Sequence, residues 1–186
     1  MLYKLALFLH VAGALLLCSA IVIEWLCVIN IRKMKNIENV KEWVSNYLKL
    51  TILGPAVIGL ILISGIYMMI VVWHDTAWII FGFIGIILIA VIGGSIIGRK
   101  MRIINKMIPN ENNISGRLEP LLTDKAFLFS IKIRTAIFIG IIFLMTYKPE
   151  LAGSIITLIT SIVLGFVPLG KDSSLKIRNK QKVKEN

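Results

Sequence analysis

The sequence predicts an all-α fold: a polytopic membrane helix bundle of four to five transmembrane helices, five favoured, with the N-terminus outside and the C-terminus cytoplasmic. Three observations predict it. Hydrophobic residues make up 57% of the chain and mean hydropathy is +0.84, above the roughly half-apolar composition of soluble domains. The apolar residues come in long unbroken blocks. Lysine and arginine crowd into alternate connections, which is the signature of spans oriented during insertion.

The first block covers about residues 5–29 and carries two ionisable side chains, His10 and Glu24. Lys4 before an apolar run mimics a signal peptide, but the run is too long for an h-region and no soluble mature domain follows it. Cys18 and Cys27 lie nine residues apart, so on a helix they point to opposite faces and cannot pair with each other. Arg32, Lys33 and Lys35 stop the block on the cytoplasmic side. From Asn36 to Leu50, Ile37, Val40, Trp43, Val44, Tyr47 and Leu48 recur at helical spacing, which predicts a short amphipathic helix at the inner interface that runs up to the next span, with binding of a partner as the alternative. The second span is about 52–73, with Gly54-Pro55 in its first turn, where a missing N–H costs least. His74-Asp75-Thr76 is a short outer turn between Trp73 and Trp78. The third span, 77–97, has a helical pattern that runs on past Arg99, Lys100 and Arg102 toward Pro109. Asn110 to Gly116 reads as a loop, and its Asn113-Ile114-Ser115 matches a glycosylation sequon that is inert on the cytoplasmic side. The fourth span is 126–147, Lys148-Pro149-Glu150 is an outer turn, and the fifth span is 151–169. Residues 1–170 thus form one transmembrane domain and residues 171–186 a basic cytoplasmic tail, expected to be disordered.

Of 21 lysines and arginines, only Lys4 and Lys148 fall outside in this arrangement. The same asymmetry accounts for the net charge of +11, so no nucleic-acid partner is expected. The lipid bilayer, anionic lipid at the cytoplasmic face and a second copy of the chain are the candidate partners.

Depth along the spans sorts the polar residues. His10 is six residues below Lys4, roughly 9 Å into the outer leaflet. Met68, Met69 and Met145 lie at similar depth, and His74 just above. Imidazole with thioethers suits copper(I), and imidazole alone ligates haem iron, so these five residues are the candidate metal or haem ligands. The alternative is that the methionines fill apolar gaps and His10 is a hydrogen-bonded core residue. Glu24 lies on the same face as His10 but ~21 Å further along the axis, at the depth of Lys132 and Arg134. A lone carboxylate there would be protonated or costly, so a Glu24–Arg134 ion pair between spans one and four is expected, with Lys132 as the other partner. Gly94 and Gly98 in span three, and Gly153, Thr157, Ser161 and Gly165 at four-residue spacing in span five, predict close helix packing; a hydroxyl-lined solute path is the alternative for Thr157 and Ser161. The chain has no Walker loop, CxxC pair, nucleophile elbow or zincin helix.

Leu5-Ala6-Leu7-Phe8-Leu9-His10-Val11-Ala12-Gly13 resembles the H-x-x-G start of a broad group of small bacterial multi-span proteins. The group includes predicted integral membrane proteins of unknown function, the copper-resistance D type and the membrane-bound protoporphyrinogen oxidase type. Gly54-Pro55, Gly98-Arg99-Lys100 and the stretch from Arg134 to Lys148-Pro149 resemble the uncharacterised members best. Leu17-Cys18-Ser19-Ala20 stands where those families often carry a tryptophan and a glycine. The resemblance implies a bacterial inner-membrane protein with haem or metal at His10. Three functions follow as expectations: a haem- or copper-linked role through His10, ion or solute transport using Glu24 and Arg134, or a non-catalytic membrane scaffold.

Overall fold

The structure, a computed structural model, describes residues 1–34, 36–74, 76–110, 114 and 118–167. Asp75, Asn113 and Ser115 of the sequon, the end of the expected fifth span at 168–169 and the basic tail lie outside the described residues. Among the described residues all regular structure is helical. The chain is a multi-pass membrane protein with four helices long and apolar enough to cross a bilayer and a fifth, shorter apolar helix.

Helix α1 spans Leu2–Lys33 and ends where Met34 turns extended. Asn36 then caps α2 (Ile37–Met68), its side chain accepting from Glu38 N at 2.9 Å. A π-helical turn, Met69–Trp73, finishes this rod and stops at His74, whose φ of 53° bends the chain back. Helix α3 (Ala77–Ile92) runs through a second π-helical segment, Gly93–Gly98, into α4 (Arg99–Met107), and Pro109 lies in the short 3₁₀ turn that follows. The short α5 (Leu118–Thr123) precedes Asp124, which caps α6 (Lys125–Tyr147) by accepting from Ala126 N at 2.8 Å. Lys148, in the left-handed region, closes α6, and α7 covers Leu151–Phe166.

One expectation, the position of Pro55, is corrected. The amphipathic segment after Asn36 is a helical run-up to the second span, but it joins that span without a break as the first half of α2, so Pro55 sits inside a helix rather than in its first turn. The physical reason is burial: Val40, Val44 and Tyr47 are withdrawn into a core with Val28, Ile31, Met101, Ile104, Leu118 and Leu122, which fixes the first half of α2 as helix, and the helix continues past the proline. From Ile37 to Trp73 this rod has 37 residues, about 55 Å at 1.5 Å each, against ~30 Å of hydrocarbon, so much of that core stands clear of the bilayer. Helix α7 has 16 helical residues, about 24 Å in length.

The bundle has two ends. The short-turn end carries His74 and Lys148-Pro149-Glu150; the basic end carries the packed core just described. Arg32 ties α1 to the basic end by donating to the carbonyls of Thr123 and Asp124, both at 2.9 Å, at the C-terminus of α5. Lys100 pairs there with Asp124. Helices α6 and α7 approach closely, since a Cβ on Gly165 would lie 2.7 Å from Ile133 Cα and Ser161 Oγ fills the space over Gly140.

Candidate functional site

Two polar features lie inside the bundle, one in each half. In the half nearer the short-turn end, α1, α2, α3 and α6 enclose a cavity of about 580 Å³. His10, Met68, Met69 and Met145 all line it, on three different helices. Its walls are otherwise largely apolar and aromatic, with Phe83, Trp78 and Phe138 among them. His74 does not line it: the φ of 53° leaves that side chain exposed at the turn. Sequence depth alone placed it beside His10, and the sharp end of α2 removes it.

The geometry of His10 follows from Gly13 one turn later on the same face. A Cβ there would sit 2.8 Å from Ile61 Cγ1, so the glycine lets α1 press against α2 at Ile61. The Ile61 carbonyl is thereby brought 3.1 Å from His10 Nδ1. Ser64 Oγ is 3.3 Å from the same nitrogen and spends its own proton on the Leu60 carbonyl at 2.6 Å. A carbonyl only accepts, so Nδ1 carries the hydrogen and the neutral ring keeps its lone pair on Nε2. Gly65 packs over the ring, where a Cβ would lie 3.2 Å from Cε1. The imidazole is thus fixed in tautomer and orientation by backbone on one side, with Nε2 free for a ligand; metal-binding histidines are held in this way.

At the mouth of the cavity, Lys148 Nζ stands 3.8 Å from the centroid of the Trp73 ring and 5.7 Å from that of Trp78. The two indoles meet edge to face at 5.5 Å.

In the other half, Arg134 donates to Glu24 through Nη1, and Tyr47 donates to the second carboxylate oxygen at 3.0 Å. Trp25 donates to Thr135 Oγ1 at 2.9 Å beside this pair. Lys132, the other expected partner, instead donates to the Val167 carbonyl at 2.8 Å, at the end of α7. Arg134 fits because Gly93 leaves room: a Cβ there would lie 2.7 Å from its Cζ. That close approach corrects the expected Gly94–Gly98 packing face. The π-helical turn rotates Gly93 inward, while Gly94 has open space around it and Gly98 meets only its own helix. In α7, Gly153 packs on Pro149 of its own turn, and the hydroxyls of Thr157 and Ser161 donate to the carbonyls of Gly153 and Thr157.

Tyr47 and the Ile61 carbonyl are the partners sequence reasoning missed. Tyr47 was legible only as part of an interfacial helix, and a backbone carbonyl has no sequence signal; the H-x-x-G spacing is the one trace of it. No protein-family model matches the chain, and no curated protein or solved structure matches it either.

Proposed function

We propose that the chain is a membrane haem-binding protein that holds the macrocycle in the cavity, with the short-turn end outside and the basic end in the cytoplasm. The observation that carries this reading is His10 with Nδ1–H committed to the Ile61 carbonyl, on a side chain that lines a 580 Å³ apolar cavity with three methionines. A volume of that size suits a cofactor or small molecule. It is far larger than a coordination sphere, which favours a macrocycle over a bare ion. His10 Nε2 would hold the iron, with a methionine thioether as the candidate second axial donor, and Phe83 and Phe138 offer faces for the ring. When bound, haem supplies one-electron chemistry. The chain's part is to orient the imidazole, exclude water and set the apolar surroundings.

The test is optical. Purified protein titrated with hemin is expected to give a saturable Soret band at one per chain, lost in His10→Ala and kept in Glu24→Gln. No such band, or an unchanged band in His10→Ala, overturns the reading. Stoichiometric copper(I) held against a competing chelator, without a haem band, would put a copper role in its place.

A further inference from the structure

The cavity has a polarity that the His10 reading does not use. Among the described residues that line it, Lys148 is the one permanent cation, at the short-turn end; from there down to Leu17 and Ile86 the walls are largely hydrocarbon and aromatic rings. Lys148 is not free to drift. It is the left-handed closing residue of α6, with φ 51°, its N–H bonded to the Leu144 carbonyl at 3.0 Å and Pro149 next in the chain. Its ammonium rests on Trp73 and Trp78, and no carboxylate of a described residue lies within ion-pairing distance. Aromatic faces satisfy an ammonium only in part, so an anion offered at this position gains a charge-assisted bond without breaking an existing ion pair.

The side of the cavity is open as well. Leu7, Val11 and Leu15 of α1 and Ile142 of α6 line it and are also exposed on the bundle surface, at 43%, 49%, 65% and 48%. The polar bonds that tie α1 to α6, Glu24 to Arg134 and Trp25 to Thr135, lie in the other half. In the cavity half the two helices leave a gap along their seam, at a depth where the surroundings are lipid chains.

We propose that Lys148 is an anion receptor at the mouth of this cavity, and that the ligand is an amphiphile with an anionic head that slides in from the bilayer between α1 and α6. The proposal rests on the cavity being a ligand site and is independent of metal ligation at His10. An amphiphile lying in the seam puts its head on Lys148 and its apolar body against Leu17, Ile86 and Phe138; haem, whose two carboxylates share one edge of an apolar ring, is one member of that class.

The probe is cis-parinaric acid with its methyl ester as the neutral twin, bound to the purified full chain and read by energy transfer from tryptophan. In the wild type the acid is expected to bind roughly tenfold more tightly than the ester, the scale of one charge-assisted hydrogen bond. Lys148→Met brings the two to near parity, Lys148→Arg keeps the preference, and Ile139→Ala, on the exposed face of α6 and outside the cavity wall, keeps it too. Displacement by oleate against lysophosphatidate tells a carboxylate head from a phosphate head. Equal binding of acid and ester in the wild type, a preference that survives in Lys148→Met, or binding of neither probe overturns the proposal. Loss of the hemin band with the acid preference intact would instead remove the haem reading alone.

Discussion

The Glu24–Arg134 pair joins α1 to α6 and is completed by Tyr47 from α2, so three helices meet at one carboxylate. Removing one member leaves the other charge buried. Glu24→Gln and Arg134→Gln are each expected to cost about 3–5 kcal/mol, and the double variant less than their sum. Thermal unfolding in detergent checks both; additive losses would mean that the two side chains act separately. Gly93→Ala is expected to destabilise by about 1–3 kcal/mol, because the new methyl group collides with the guanidinium. Its loss should shrink in an Arg134→Gln background, and an unchanged loss would count against that cause. At this scale the sequence was half legible. Counting residues from each membrane boundary brings Glu24 level with Arg134, and His10 level with Met68, Met69 and Met145. Counting says nothing of the third partner, because Tyr47 reaches the carboxylate only if α2 is one unbroken rod.

That rod is the element whose reading from sequence was least complete. The periodicity of residues 37–50 is as fit for a lipid interface as for a protein core, and the pattern itself does not name what covers the apolar face. Here α1, α4 and α5 cover it, and Val40, Val44, Ile104, Leu118 and Leu122 are fully buried. Ile104→Ala is therefore expected to cost about 2–5 kcal/mol, as in a soluble core. Ile139→Ala, on the exposed face of α6, changes only a contact with lipid and is expected to leave the unfolding temperature nearly unchanged. Similar losses at both sites would argue against a packed core at the basic end. The π-helical turns at Met69–Trp73 and Gly93–Gly98 have no sequence signal beyond a cluster of glycines in the second, and they explain why His74 and Gly94 left the positions that plain helical spacing assigns them.

For the molecule as a whole, an all-helical bundle of four to five apolar helices was readable from the apolar blocks alone, because a bilayer admits few alternatives to helices. Cation placement predicts an orientation, which is open to a direct check. In a chain with Cys18 and Cys27 replaced by alanine, Glu150→Cys is expected to react with a membrane-impermeant maleimide on intact cells and Lys106→Cys only after permeabilisation. The reverse pattern would invert the bundle. The division into a packed basic end and a hollow short-turn end was not readable, since it depends on which faces of α1 and α6 meet. Polar bonds at Glu24 and Trp25 draw these helices together, and the room for a ligand opens above them.

The buried pair also decides how the molecule responds to voltage. A charge that crosses the whole membrane field gains or loses about 2.3 kcal/mol per 100 mV. Glu24 and Arg134 at one depth cancel, so the pair adds almost no net charge within the field and is itself expected to be indifferent to whether the membrane is polarised. Glu24→Gln would strand a lone guanidinium there, turning an electrically silent pair into a charge that senses the membrane potential.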